Sequence, residues 1–543
     1  MKTKKITKVL QGLGFFIVGF FIISLAIAGM AAAGPQDADN VWSGKTAKYV
    51  FMFIGDGMGL QQVSAAEIYL GATKNNATNS NPGIEKLTFS RFENQGMITT
   101  YSANSFITDS APAATSLATG YKTDNGVIGV DPSKTKKFAT IAELAKERGM
   151  KVGIVSSVSI NHATPAAFYA HVPSRNDYYG IGLQLLDSEV DYFGGGGFNQ
   201  PTGKEKDKKS LYDVAVERGI KVLRSRDAIL AAKKGEGRIF AINPILDADN
   251  AMPYEIDRTQ GELSLADFTR KGIELLDNEK GFFMQVEGGK IDWTCHANDA
   301  ATSIIDTFAF DDAVKEAVEF SQKHPEETLI VIVGDHETGG MSIGFAGTEY
   351  ETFFEKIAGQ KESFLEFDKK IAAYRAGKAG KEGKSEGKSG EKSFDGFFPE
   401  ITKSFGLLRL TETEAKDLAE KAKAGDAAAA RRLAMNLSSI ELDAIRGAFQ
   451  RSMTEGKVRG DEQMFLLYGG YEPLSVQVTH VLNQKAGIGW TTYAHTGIPV
   501  PVFAHGQGAE LFNGYYDNTD IAWKTLSVMG LPALEPTVFK SQK

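Results

Sequence analysis

The chain has 543 residues, 42% hydrophobic and 24% charged, with a formal net charge of −8, which leaves room for a large apolar core and gives no electrostatic case for nucleic-acid binding. Its single cysteine, Cys295, excludes an internal disulfide, so the fold must be held by its core and by whatever its polar clusters bind.

At the start, Lys2, Lys4, Lys5 and Lys8 precede an apolar stretch from Leu13 to Met30, and Ala31-Ala-Ala33 supplies the small residues that a signal peptidase accepts. Residues 1–33 therefore read as an export signal or, because the stretch is near the minimum for a spanning helix, as an uncleaved N-terminal membrane anchor. Either reading places the remainder in the periplasm or outside the cell. No cysteine lies at the candidate cleavage site, which argues against a lipoprotein.

Tyr49–Ile54 is a strand-length apolar run that stops at Gly55-Asp56-Gly57, placing Asp56 at a carboxyl end. In Thr108–Gly120, Ser110 stands beside an acid at the mouth of a small-residue helix. Pro112 suits the first turn, whose free amides and positive dipole end favour an attacking alkoxide. No Ser-His-Asp arrangement or Gly-x-Ser-x-Gly elbow surrounds Ser110, so its activation must come from elsewhere, and a metal ion is the usual substitute. Val190–Phe193 predicts a strand, with Gly194–Gly197 as the loop after it.

The run-then-ligand pattern recurs. Gly281–Val286 leads into Glu287, and Asp292 and His296 follow at a spacing that sets both on one face of a helical turn. Thr328–Val333 delivers Gly334-Asp335-His336, and Trp490–Gly497 offers His495 in a turn-like setting. Of the eight histidines, His171, His324, His480 and His505 read as packing, surface or supporting residues. Buried parallel strands read as continuous apolar runs, and open sheets of this kind bind ligands beyond the carboxyl ends of their strands. Candidates scattered from Asp56 to His495 must meet, so one catalytic core is expected over 45–543. Residues 346–462 read as a mostly helical insertion carrying a Gly/Lys/Glu/Ser loop at 377–392. Thr411–Glu414 is a capping box, Gly425 a stop, and Ser439 the start of another amphipathic helix.

With these segments in view, the chain resembles the alkaline phosphatase family. The resemblance rests on Phe53–Gly59, Thr108–Ala111, Ala118–Gly129, His162–Ala166, Ala170–Arg175, Val286–Gly288, Asp335–Gly340 and His495–Gly497, and it spans roughly Lys48 to Gly344 and Tyr468 to the C-terminus. It implies an α/β three-layer sandwich, with a large, mostly parallel central sheet flanked by helices, plus the helical insertion. It also implies a metal-dependent hydrolase of phosphate monoesters that works through a phosphoserine intermediate. Carried over by position, Asp292, His296 and His495 would hold a first zinc, and Asp56, Asp335, His336 and Ser110 would surround a second. Thr164 and Glu287, sharing Asp56, would bind a third ion, magnesium in much of the family, and Arg175 would hold the substrate phosphate. Zinc's preference for nitrogen and carboxylate donors, and magnesium's for oxygen, agree with that division.

Two positions depart from many bacterial relatives: His162 stands where they have aspartate and Trp293 where they have lysine. Both are expected near substrate phosphate, with His162 a candidate ligand of the third ion. The alternatives are a phosphodiesterase or sulfatase of the same superfamily, or a membrane-anchored binding protein without turnover. A homodimer is compatible with the sequence.

Overall fold

The computed structural model describes residues 42–377, 392–454, 461–532 and 536–538; the N-terminal segment and nearly all of the Gly/Lys/Glu/Ser loop lie outside them. The first apolar run is strand β1 (Tyr49–Gly55), buried at every position. Its alternate residues serve two cores: Tyr49, Phe51 and Phe53 pack into one, and Val50, Met52 and Ile54 into the other. Only a strand with both faces covered can be apolar without interruption.

The other strands of the main sheet are β2 (Asn94–Thr99), β3 (Lys151–Ser156), β4 (Tyr192–Gly195), β5 (Lys221–Leu223), β6 (Ile239–Ile242), β7 (Phe282–Glu287), β8 (Thr328–Gly334), β9 (Val500–Gly506) and β10 (Gly514–Asp517). They form a 10-stranded sheet in the order β10-β2-β9-β8-β1-β7-β3-β4-β6-β5. β9 runs antiparallel to both its neighbours, and all other pairings are parallel. On one face lies helix Ala300–Ser321, contributing Phe310, Ala313, Val314 and Ala317; on the other lies Ser110–Thr119, contributing Ala111, Ala114, Leu117 and Ala118. The architecture is the expected layered α/β one.

Register then fixes the site. Ile54 pairs with Glu287 and Val333, Gly55 with Gly334, and Ser156 with Glu287, so the carboxyl ends of β1, β3, β7 and β8 lie level at the middle of the sheet.

Strand β4 differs from the sequence reading at both ends, starting at Tyr192 and not at Val190. β4 runs into the glycines, with Gly194 beside Val155 and Gly195 beside Ser156, instead of ending at Phe193. Gly195 has φ +110°, and a Cβ there would come within 2.0 Å of the Ser156 carbonyl oxygen. Gly195 is required there because the neighbouring backbone leaves no room for a side chain, and Gly194 because a Cβ would meet the Tyr192 hydroxyl at 2.5 Å.

Between Gly344 and Pro473 the described chain is helical, with α-helices Phe364–Arg375, Phe394–Phe405, Glu412–Lys423, Ala427–Ala434, Ser439–Thr454 and Glu462–Tyr468. Phe367, Phe397 and Phe449 join the same core as Phe310, so these helices extend the main core. The Thr411–Glu414 capping box is formed in both directions, at 3.2 and 2.8 Å. Among the described residues no helix is long and apolar enough to cross a membrane.

Candidate active site

Ser110 is the first residue of helix α1 (Ser110–Thr119), and Asp109 caps it, accepting from Ala111 N at 2.7 Å. The small side chains of α1 let it lie close on the sheet, which brings the buried Ser110 Oγ to 3.2 Å from His336 Nε2. That nitrogen also faces Asp56 Oδ1 at 3.4 Å and Asp335 Oδ2 at 3.3 Å. Asp335 is oriented by accepting from Gly57 N at 3.1 Å and His336 N at 2.9 Å. Gly57 is required here: its φ is +71° and a Cβ would meet the Asp292 Cα at 2.8 Å.

Asp292 and His296 project from helix α2 (Lys290–His296) as an i, i+4 pair, with His296 Nε2 3.3 Å from Asp292 Oδ2. His495 completes a triangle, its Nε2 being 3.1 Å from His296 Nε2 and 3.6 Å from Asp292 Oδ1. Both histidines donate from Nδ1 to a carbonyl, His296 to Tyr493 O at 2.7 Å and His495 to Thr108 O at 2.8 Å. Protons fixed on Nδ1 leave the two Nε2 lone pairs turned toward each other, an arrangement that a shared cation relieves. His495 also stacks on His336, centroids 3.6 Å apart. His336 therefore lies within ligating reach of Asp292 and His495 as well as of Asp56 and Asp335.

A third donor group combines Asp56, His162 and Glu287, with Thr164 Oγ1 3.4 Å from Asp56 Oδ2. His162 Nε2 lies 3.3 Å from Arg175 Nη2, and its ring meets Trp293 edge to face at 5.9 Å. Arg175 donates from Nη1 to Asp109 Oδ1 at 2.9 Å, the same oxygen that caps α1, so its guanidinium is tethered beside the nucleophile. All twelve candidate residues thus come together at the carboxyl edge of the sheet. His171 bonds Glu143 and Gly129 instead, His480 bonds Asn298, and His324 and His505 lie on aromatic rings.

The electrostatics of this cluster call for cations. Burial, then the neighbouring Asp335 and Asp292, push the Asp56 carboxyl well above the usual range; burial followed by Asp292 does the same to Asp335, and burial raises Glu287 to about 7. Among the described residues Asp56 Oδ1, Asp335 Oδ2, Glu287 Oε1 and His162 Nδ1 are buried without a hydrogen-bond partner, a costly state for protein atoms alone and the expected one for metal donors. Burial, followed by the Arg175 charge, lowers the His162 pKa to about 3, so the ring is neutral and able to ligate at ordinary pH.

The alkaline phosphatase family model matches residues 47–396 and 471–531. The chain is similar to alkaline phosphatase 4 of Bacillus subtilis, 31% identical over 482 residues and covering 87% of each chain. The solved cold-active alkaline phosphatase of Shewanella sp. superposes with a TM-score of 0.67 at 29% identity, over 89% of this chain and 99% of that one. A histidine-to-glutamate variant of TAB5 alkaline phosphatase, solved with magnesium in its M3 site, gives a TM-score of 0.57 at 25% identity, over 90% and 99%. The chain belongs to the alkaline phosphatase family. It is a metal-dependent hydrolase of phosphate monoesters.

Within this alkaline phosphatase several supporting residues escaped the sequence reading. Thr338 donates to Asp292 and contacts His336 Nδ1 at 3.2 Å, and Ser156 donates to Glu287. Among the described residues Glu337 has no cation partner, yet its buried carboxylate accepts from Gln62 Nε2, Gly340 N, Met341 N and Thr496 Oγ1. It ties the Asp335-His336 loop to the strap bearing His495. Asp109 was legible only as an acid beside a serine; its second role requires Arg175, which is distant in sequence. Ser156 had a usable signal, since it ends an apolar run as Asp56 and Asp335 do.

Proposed function

We propose that Ser110 is the nucleophile of this alkaline phosphatase, forming a phosphoserine at a centre of two zinc ions and one magnesium ion. The observation that carries the proposal is Ser110 Oγ on His336 Nε2, between two carboxylates, with unpartnered donor atoms in the clusters around it. Asp292, His296 and His495 would hold the first zinc, Asp56, Asp335 and His336 the second, and Asp56, Glu287, Thr164 and His162 the third ion. When bound, such ions neutralise the carboxylates and stabilise the charge on the entering and leaving oxygens of an in-line displacement.

Ser110 supplies the entering oxygen. Its place in the first turn of α1 gives the alkoxide and the phosphoryl group the positive end of the helix. The Ser110 Oγ–P bond forms as the ester P–O bond breaks, and the alcohol leaves with a proton. Water then breaks the Oγ–P bond and releases inorganic phosphate. Arg175, aimed by Asp109, presents its fork to the equatorial oxygens, and Trp293 and His162 wall the phosphate. Measuring kcat/KM for a phosphate monoester, a diester and a sulfate ester tests the reading. Two charged hydrogen bonds at roughly 1.5–3 kcal/mol each predict a monoester preference of about a hundredfold or more. Equal rates on all three would overturn it.

His162 bears on the choice of third metal. An imidazole is a softer, uncharged donor, so the third site should hold magnesium weakly and accept zinc readily. His162→Asp is expected to tighten magnesium binding and make activity more responsive to added magnesium, with the two zinc sites untouched. Magnesium titration with elemental analysis reads this out, and indistinguishable magnesium affinities would remove His162 from metal choice. The TAB5 variant with glutamate for histidine and magnesium at M3 supports the direction.

We also infer export, by an N-terminal signal or anchor over 1–33. Sequencing the N-terminus of the protein recovered from its native cell fraction distinguishes cleavage from retention.

A further inference from the structure

Phe106, four residues before Ser110, is 90% exposed, and Ile107 beside it is 46% exposed. The backbone under them is pinned. Ala103 N donates to Thr123 O at 2.9 Å, Asn125 N to Asn104 Oδ1 at 3.0 Å, Asn125 Nδ2 to Ile107 O at 3.0 Å, and Ile107 N to Ser105 Oγ at 3.2 Å. A fixed turn therefore holds an aromatic ring out into water.

The turn lies against the strap that carries His495. A Cβ on Gly497 would come 3.0 Å from Phe106 O, and two residues along the turn Thr108 O accepts from His495 Nδ1 at 2.8 Å. In-line displacement sends the leaving oxygen away from Ser110 Oγ, and on the function proposed above that oxygen goes to the cluster of Asp292, His296 and His495. Beside those ligands lie the 493–497 strap, where Tyr493 O accepts from His296 Nδ1, and the turn through Phe106 and Thr108, where Thr108 O accepts from His495 Nδ1. The phosphate's own flank is made by Arg175, Asp109 and His162, which are charged or polar, and by Trp293, whose ring is already met by His162 edge to face at 5.9 Å and by Lys290 Nζ at 5.0 Å.

We propose that Phe106, with Ile107 beside it, is the resting surface for the organic part of the substrate, and that this biases the enzyme toward aryl and other flat apolar phosphate monoesters over polyol phosphates. The inference rests on the phosphomonoesterase reading given above. A ring packed on Phe106 gains an aromatic contact and loses water-exposed area; a polyol gains neither.

The test compares kcat/KM for 1-naphthyl phosphate and glycerol 1-phosphate in the wild type, Phe106→Ala and Phe106→Tyr, with sizing of each protein. Phe106→Ala is expected to lower the naphthyl-to-glycerol ratio by about fivefold to tenfold, and Phe106→Tyr to restore it. The exposed position should leave Tm unchanged. A ratio that stays within about twofold, judged against the ordinary size of a ring contact, overturns the inference, and a change of oligomeric state with the ratio unaltered overturns it in favour of self-association. A wild type that hydrolyses neither ester would defeat the phosphomonoesterase reading itself and this inference with it.

Discussion

Ser110→Ala should lower kcat on a phosphate monoester by about three orders of magnitude or more, while metal content stays nearly unchanged. The hydroxyl supplies the entering oxygen of the first displacement, and alanine puts no nucleophile in its place. Metal retention follows from the geometry: Asp56, Asp335 and His336 remain around the second site, and Ser110 Oγ is only one of the groups within reach of His336 Nε2. The fold should tolerate the change. Ser110 is buried on a helix of small residues, alanine suits a helix, and the Asp109 cap bonds Ala111 N and not the serine. Steady-state kinetics, elemental analysis and a melting curve on one preparation read all three consequences. Retention of more than about a tenth of kcat, a loss under ~1.4 kcal/mol, would sink the assignment.

Arg175→Ala carries the second large effect. The guanidinium is partly exposed and held from one side by Asp109, so a second nitrogen is turned toward His162 and the space before Ser110. Removing a fork that makes two charged hydrogen bonds, at roughly 1.5–3 kcal/mol each, should cost about a hundredfold or more in kcat/KM for a monoester and weaken inhibition by inorganic phosphate in parallel. A diester presents fewer charged oxygens and should lose much less. Arg175→Lys restores the charge without the planar fork and should recover only part of the activity. Equal losses on monoester and diester would show that the arginine does not read the monoester's charge. Asp109 keeps its bond to Ala111 N in either variant, so helix α1 stays capped and the losses report recognition.

Much of the core was legible because a parallel sheet covered on both faces leaves a local mark, an uninterrupted apolar run with a polar residue at its end. Tyr49–Ile54, Gly281–Val286 and Thr328–Val333 carry that mark, and each becomes a central strand with Asp56, Glu287 or Asp335 at its carboxyl end. The i, i+4 spacing of Asp292 and His296 is equally local and appears as a helical pair. The family resemblance added the grouping of these residues, which no periodicity contains. β4 was misread at its end because glycine normally punctuates a strand, and only the Ser156 carbonyl next to Gly195 makes glycine the residue that fits.

The sequence by itself determined that Tyr49–Ile54, Gly281–Val286 and Thr328–Val333 are strands, that Asp56, Glu287, Asp335 and His336 stand at their ends, and that Ser110 opens a helix, because each depends on a few neighbouring residues and the periodicity of one element. Tertiary structure alone decided that Ser110 meets His336 across 226 positions, that Asp109 holds Arg175, that Thr338 and Ser156 brace Asp292 and Glu287, and that Phe106 stands exposed beside the His495 strap. Those contacts are set by the register of β1, β3, β7 and β8, which brings distant strand ends level, and by helix α1 lying close enough on the sheet for its first residue to reach them.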